Sequence, residues 1–227
     1  MDIVVKFGGS LLFDNGNIDT QRVDAACGVI RGLYDSGHNI GIVVGGGYAA
    51  RMYIKGLGTD SFPEASKDNV AVMATRLNAM LFISRLADIC YPYPPTSYTA
   101  LVKSLATGKI VVCGGMQPGQ STNAVATLVC EAMGAKTLIN ATNVDYIYDK
   151  DPQKHPDATP YKRLTYGELK DIIASCGAGA GQYEMFDLVA ANNIERSSIT
   201  LHFVDGKDPE NISRVLSGCD VGTVVNP

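Results

Sequence analysis

The sequence of 227 residues lacks any stretch of about 18 apolar residues, the length that a membrane-spanning helix needs. It also lacks any C-x-x-C pair among its six cysteines. Several cysteines lie in apolar runs such as IVVCGG, which favours reduced core thiols over a disulfide framework. These absences predict a protein of the cytoplasm that does not associate with a membrane.

Positive charge is not in excess either. Lysine and arginine number 19 against 23 aspartates and glutamates, which gives a net charge of −4. Broad, nonspecific binding of nucleic acid needs a positive face, so this class of function is disfavoured. A small anionic ligand stays compatible with the charge, because a few basic groups and helix N-termini hold such a ligand locally.

The phosphate-binding string G-x-x-x-x-G-K-[ST] does not occur. Gly45, Gly47 and Ala50 loosely fit the dinucleotide-binding pattern G-x-G-x-x-A. That pattern requires an acidic residue at the end of the next strand, whereas the candidates here, Glu64 and Asp68, begin a predicted helix. The match also follows the second predicted strand rather than the first, so a dinucleotide site is disfavoured.

What the sequence does contain is three apolar runs that end in paired or triple glycine. They are VVKFGGSLL (residues 4–12), IVVGGGYAARMYI (42–54) and VCGGMQPGQSTNAVA (112–126). Paired glycines let a ligand approach the backbone, and the free N–H groups at a helix start favour anions. One such turn is a common tight connection. Three of them indicate a ligand with several phosphates, or two phosphorylated ligands that meet head to head.

Strand-like and helix-like segments alternate, which predicts an α/β fold with a mostly parallel sheet covered on both faces. Asp19 is the expected N-cap of the first helix. The polar segment 145–163, with Asp-Pro and His-Pro, predicts a long functional loop or hairpin. The predicted strands are 3–7, 40–44, 110–114, 136–141, 199–204 and 222–225. The predicted helices are 19–36, 48–57, 65–89, 98–107, 121–133, 165–175, 186–197 and 209–217.

Three charged residues each allow a structural and a functional interpretation. Lys6 is either a lysine that reaches solvent from a strand edge or an ammonium that stabilises a transferring phosphoryl group. Arg51 either lies on a solvated helix face or donates to phosphate oxygens. Asp68 is either a favourable charge at a helix N-terminus or an acceptor for ribose hydroxyls.

The strings KFGGS, VVGGGYAAR, KDNVAVMATRLNAM, GGMQPGQST, ATNVDYIYDKDP and GTVV, in this order, resemble the amino-acid-kinase fold family and, within it, the archaeal type of uridylate (UMP) kinase. The resemblance covers essentially the whole chain. It implies one domain over residues 1–227, a three-layer α/β/α sandwich with ATP and UMP end to end across the strand ends. It also implies phosphoryl transfer from ATP to UMP in pyrimidine nucleotide biosynthesis, with Mg²⁺, in a homohexamer built as a trimer of dimers.

The resemblance also assigns roles by position, with Lys6 and Arg51 as the catalytic pair. The residues that it assigns to ATP are Lys6, Gly9, Ser10, Gly47, Arg51, Thr142, Tyr148 and Asp151, the last of them at the ribose. The residues that it assigns to UMP are Gly46, Asp68, Met116, Gln117, Pro118, Gly119, Gln120, Ser121 and Thr122.

Two positions depart from the pattern of the relatives. Asn123 stands where many relatives carry an aspartate that helps to orient the catalytic lysine, and Met185 stands where bacterial members carry a lysine. The glycine-rich stretch 176–184 is either a mobile segment over the nucleotide or a simple loop. Two alternatives stay open: a kinase of another small acceptor, such as isopentenyl phosphate, carbamate or an acylated amino acid, and a nucleotide-binding or storage protein without turnover.

Overall fold

The computed structural model describes residues 1–58, 62–152, 154–175 and 186–227. Met185 and the glycine-rich stretch 176–184 lie outside the described residues. Within the described ranges, no helix combines the length and the apolar character needed to cross a membrane.

Strands and helices alternate along most of the chain, as the sequence predicts. The strands are β1 (Asp2–Phe7), β2 (Phe13–Asp14), β3 (Asn17–Ile18), β4 (Asn39–Val44), β5 (Val111–Cys113), β6 (Thr137–Thr142), β7 (Ile147–Tyr148), β8 (Pro160–Tyr161), β9 (Arg163–Thr165), β10 (Thr200–Asp205) and β11 (Thr223–Asn226). The helices are α1 (Thr20–Asp35), α2 (Gly47–Gly56), α3 (Glu64–Arg85), α4 (Tyr98–Leu105), α5 (Thr122–Met133), α6 (Tyr166–Ser175), α7 (Leu188–Arg196) and α8 (Glu210–Leu216). A 3₁₀ turn at Gly9–Leu12 follows β1.

The central layer is a seven-stranded sheet in the order β5-β4-β1-β6-β10-β11-β9. Neighbouring strands are parallel except for β10 and β11, which are antiparallel. The prediction of a mostly parallel sheet is confirmed. The short strand β9 was not predicted, because three residues that pair only with β11 at the sheet edge carry too little pattern to be recognised.

Alternating side chains of the strands fill two separate cores, one on each face of the sheet. Ile3, Val5 and Phe7 of β1 point to the core that α1, α3 and α8 cover. Val4 of β1 and Leu138 of β6 point to the opposite core, which contains residues of α5, α6 and α7. The predicted three-layer α/β/α sandwich is therefore confirmed.

Most element boundaries agree with the predictions to within a few residues. The Asp19 side chain caps α1 by accepting a hydrogen bond from the Arg22 N–H at 2.9 Å, as predicted. The long helix predicted to reach residue 89 ends at Arg85 instead, because Cys90 leaves the helix to pair with Ile110 beside β5. The polar segment 145–163 contains the β7–β8 hairpin, as one of the two expected alternatives.

Candidate active site

The sheet order brings the three glycine turns to one edge of the molecule. Since β4, β5 and β1 are parallel neighbours, their carboxyl ends and the turns that follow them lie side by side. Strand β6 on the other flank of β1 adds Thr142 to the same edge. In open α/β sheets, ligands bind in the crevice outside the carboxyl ends of the strands.

The first two glycine turns pack backbone against backbone. A Cβ atom added at Gly9 would lie 2.2 Å from the Gly47 nitrogen, and one added at Gly47 would lie 2.1 Å from the Gly9 carbonyl carbon. Gly47 also has a φ of +56°, in the left-handed region that disfavours side chains. The fold itself therefore requires glycine at both positions, independently of any ligand.

Helix α3 fixes the third glycine turn through two side chains. The Thr75 hydroxyl accepts a hydrogen bond from the Gly115 N–H at 2.6 Å. The Arg76 guanidinium donates to the carbonyl oxygens of Gly115 and Met116 at 3.0 and 2.9 Å. These bonds hold the start of the 116–122 loop against the helix.

The same helix also holds the second glycine turn. The Asn78 side-chain amide donates to the carbonyl oxygens of Gly45 and Gly46 at 2.8 and 3.0 Å. The sequence reasoning missed Thr75, Arg76 and Asn78. A usable signal was present, because Thr75 and Asn78 lie three residues apart on the buried side of α3, where apolar residues are expected.

A cavity of about 420 Å³ opens between α2, α3 and the loop that leads into α5. It is lined by Gly46, Gly47, Ala50, Arg51, Asp68, Ala71, Val72, Thr75, Gly115, Gln117, Gly119, Gln120, Ser121 and Thr122. Its size is within the range of small-molecule sites.

Most of the residues that the resemblance assigns to UMP line this cavity, together with Gly47 and Arg51. Met116 and Pro118 do not: Met116 is buried, and Pro118 lines a neighbouring cavity. The Asp68 carboxylate accepts a hydrogen bond from the Gly119 N–H at 2.8 Å, so it ties α3 to the loop across the cavity.

Lys6 lies near the end of β1, between Val43 of β4 and Asn140 of β6 in the sheet. Its side chain is half-buried. Removal of water lowers the pKa of the Lys6 ammonium from 10.5 to about 8, and the negative charge of Asp187 partly opposes this shift. The ammonium therefore stays charged at neutral pH. Because its surroundings contain little water, it attracts negative charge more strongly than an exposed ammonium does.

Two helix starts meet beside Lys6. The Ser121 hydroxyl caps α5 by accepting from the Ala124 N–H at 2.9 Å, and it donates to a carboxylate oxygen of Asp187. The other oxygen of Asp187 caps α7 by accepting from the Ala190 N–H at 3.0 Å. The N-termini of α5 and α7 are thus joined by one hydrogen bond at the strand ends, where free N–H groups favour an anion.

The residues that the resemblance assigns to the adenosine lie on the β6 side. Thr142 is the last residue of β6, whereas Ser10, assigned to the ATP phosphates, is half-buried in the turn after β1. The Tyr148 hydroxyl on β7 donates to Asp145 at 2.8 Å, and burial together with this hydrogen bond raises the pKa of Tyr148 to about 12. Asp151 lies 3.6 Å from the Lys154 ammonium, after the hairpin strand.

The mostly parallel sheet, the glycine turns at its carboxyl edge and the lysine on its inner strand β1 define an α/β protein built to hold phosphorylated ligands. The model of the amino acid kinase family matches residues 1–205, and the chain belongs to that family.

Curated relatives extend the match over the full length. The uridylate kinase of Methanoculleus marisnigri is 42% identical over 224 residues, which covers 98% of this chain and 94% of the relative. The uridylate kinase of Methanothermobacter thermautotrophicus is 40% identical over 227 residues and is covered completely, as is this chain. The crystal structure of uridylate kinase from Archaeoglobus fulgidus superimposes with a TM-score of 0.85 at 35% identity, over 99% of this chain and 100% of that one.

Proposed function

We propose that this protein transfers the γ-phosphoryl group of ATP to UMP, giving ADP and UDP. The observation that carries the proposal is the cavity in which Asp68, Arg51 and the 117–122 loop come together beside the glycine turns. Its walls offer a carboxylate for ribose hydroxyls, a guanidinium for phosphate and loop groups for a base. The uridylate kinases that are similar over the whole chain support the same acceptor.

We propose that ATP lies on the β1 and β6 side and UMP on the β4 and β5 side of the strand edge. Lys6 belongs to β1, between these two sides, which suits an ammonium that stabilises the group in transit. Arg51 would hold phosphate charge in register from the start of α2. The N–H groups of the glycine turns would supply further donors.

Little covalent chemistry is required of the protein. A phosphate monoester oxygen is already largely ionised near neutral pH, so UMP attacks in line without a general base. Positioning of both ligands and neutralisation of charge then account for catalysis. The residues assigned to the adenosine side, Thr142, Tyr148 and Asp151, serve only to bind and orient the donor.

We propose that magnesium enters with ATP. The described residues contain no group of three or more His, Cys, Asp or Glu side chains that could hold a metal ion. Mg²⁺ does not need such a group, because it usually keeps several waters and binds through substrate phosphates with one or two carboxylates. The ATP phosphate oxygens and water would then supply most of its ligands. When bound, the ion would neutralise charge on the phosphate oxygens.

We also propose one domain over residues 1–227, because strands from both ends of the chain share one sheet. A homohexamer built as a trimer of dimers fits the exposed apolar side chains on α2 and α3, among them Met52, Tyr53, Met73 and Leu77. A location in the cytoplasm fits the free cysteines, four of which are buried as thiols.

The test is release of ADP from Mg-ATP with four acceptors offered separately: UMP, CMP, isopentenyl phosphate and carbamate. We expect UMP to give the highest kcat/KM. A higher kcat/KM with isopentenyl phosphate or carbamate would show that the protein phosphorylates another acceptor. Binding of ATP without any acceptor-dependent ADP would favour a storage or sensor protein.

A further inference from the structure

One row of side chains crosses the sheet on the face that α5 and α7 cover. The strand registers align Cys113 with Val43, Val43 with Lys6, Lys6 with Asn140, and Asn140 with Phe203. Side chains in register on parallel neighbours point to the same face. Cys113, Val43 and Phe203 are apolar or thiol side chains of that core, so Asn140 is the amide neighbour of Lys6 within the row.

Asn140 lowers the stability of the folded protein at this position. It is only 1% exposed, and neither its side-chain oxygen nor its side-chain nitrogen has a hydrogen-bond partner among the described residues. Buried amide groups are nearly always paired, and an unpaired one lowers stability. A leucine would fill the same space beside Phe203 without this cost. Residues that break a local rule in this way are expected at functional sites.

Asp187, the charged group that acts on Lys6, makes its hydrogen bonds to other groups. Asp187 acts on Lys6 through its charge, but one of its oxygens caps α7 and the other accepts from Ser121. The other neighbours of the Lys6 side chain offer no charge: β4 contributes Val43 and β6 contributes Asn140. On β5, the pKa of the Cys113 thiol is raised to about 12, so it is neutral.

We propose that Asn140 is a positioning residue for phosphoryl transfer, whose side-chain oxygen accepts a hydrogen bond from the Lys6 ammonium, directly or through one water. Neighbouring strands lie about 4.8 Å apart, and the four-carbon stem of lysine spans that distance. The bond satisfies an unpaired acceptor and a desolvated donor together. It also holds the ammonium in place at the strand ends, between the proposed positions of ATP and UMP.

A second unpaired amide supports the same conclusion. The Asn123 side-chain oxygen, in the first turn of α5, is also buried without a partner among the described residues. Ser121 at the same helix start donates to Asp187, whose charge acts on Lys6, so Asn123 adds a second neutral amide oxygen at this end of the site.

The test measures the titration of Lys6 directly. Competitive acylation of the folded protein across pH, with mass spectrometry of the peptide that contains Lys6, gives the midpoint of its ionisation. In Asn140→Leu the ammonium loses an acceptor, so we expect the midpoint to fall by about one pH unit. In Asn140→Asp a nearby carboxylate favours the charged form, so the midpoint should rise above that of the wild type.

Asn193→Leu is the matched control. Asn193 is a buried amide on α7 that donates to Thr127 at 2.8 Å, and it is not in the Lys6 row. This variant should leave the Lys6 midpoint unchanged. A midpoint in Asn140→Leu equal to that of the wild type, or an equal fall in Asn193→Leu, would overturn the proposal. An unchanged midpoint in Asn140→Asp would do so as well, even if Asn140→Leu does not fold.

Turnover gives the second readout, and it rests on the proposed function. We expect Asn140→Leu to lower kcat about tenfold, with KM for ATP and UMP changed about twofold at most. Loss of affinity with normal kcat would contradict a positioning role. If the wild-type protein phosphorylates no acceptor, the proposed function fails, whereas the acylation experiment still decides whether Asn140 holds Lys6.

Discussion

Lys6 concentrates the electrostatics of the candidate site in one side chain. Lys6 lies near the carboxyl end of the inner strand β1, where burial weakens the hold of its ammonium on the proton and at the same time strengthens its attraction for a phosphoryl group. The negative charge of Asp187 opposes the first effect, while its two oxygens accept hydrogen bonds from the Ala190 N–H and the Ser121 hydroxyl.

Replacement of this ammonium should affect chemistry more than folding. We expect Lys6→Ala to lower kcat by about two orders of magnitude or more, the usual cost of removing a group that stabilises transition-state charge. Thermal unfolding checks that the variant stays folded, since the lost side chain is charged and half-buried. Turnover within a few-fold of the wild type would show that Lys6 has no catalytic role.

The pH profile should reveal the same group. Since the pKa of Lys6 is lowered to about 8, the ammonium is charged below that pH and is lost as the pH rises through it. We therefore expect kcat/KM to fall on the alkaline side with a midpoint near 8.

Asp187→Asn removes the charge that raises the Lys6 pKa but keeps a capping side chain, so the alkaline midpoint should move to lower pH. Asp19→Asn, at another helix start, is the control and should leave it in place. An alkaline limb that Asp187→Asn does not move would disprove the coupling.

At the scale of elements, the glycine turns are positioned by contact between backbones. Gly9→Ala puts a methyl group 2.2 Å from the Gly47 nitrogen, so we expect loss of stability and of nucleotide binding. Gly32→Ala is the matched control, because nothing lies within 4 Å of its new Cβ atom in α1. Replacing this helical glycine with alanine should raise the free energy of unfolding by about 0.5–1 kcal/mol. Equal unfolding midpoints for the two variants would contradict this account.

Helix α3 should matter for the acceptor through Thr75. Thr75→Val keeps the volume but leaves the Gly115 N–H without its acceptor, so the loop loses its hold on the helix. We expect KM for UMP to rise about tenfold, equivalent to roughly 1.4 kcal/mol, with KM for ATP nearly unchanged. Thr127→Val removes another buried hydroxyl, on α5 and outside the cavity, and should change neither constant. Equal rises for both substrates would argue against a loop-specific role.

The predictability of these elements follows from their chemistry. Glycine turns and the Asp19 cap are local patterns, and the sequence predicted both correctly. Thr75 and Asn78 interrupt the apolar face of α3, which is a local signal, but their partners are backbone groups of distant turns that this signal does not identify. The predicted helix extended past the end of α3, because the apolar spacing of the sequence continues beyond Arg85. The bridge between Cys90 and Ile110 depends on tertiary pairing, which this spacing does not record.

At the scale of the whole molecule, strand order decides function. The sequence predicts parallel strands, but only the fold reveals that β1 lies between β4 and β6. This order aligns Lys6 with Asn140, residues 134 positions apart whose relation no periodicity could have revealed. The roles assigned by resemblance to the individual site residues stay predictions, and the variants above test the most informative of them.

Ligand binding should stabilise the whole molecule by mass action. At 100 times its dissociation constant, UMP should raise the unfolding temperature by about 5–10 °C. Uridine, which lacks the phosphate that Arg51 and the glycine turns would hold, should raise it much less at the same concentration. A shift of equal size with uridine would show that the cavity does not recognise phosphate.

Passage of a phosphoryl group from ATP to UMP at the strand edge beside Lys6 can be followed with an isotope label. Incubation with UMP, Mg²⁺ and ATP labelled with ³²P at the γ-position tests it directly, followed by separation of the nucleotides. We expect label in the β-phosphate of UDP, and loss of this product in Lys6→Ala. Label that stays in ATP, or appears only as inorganic phosphate, would contradict it.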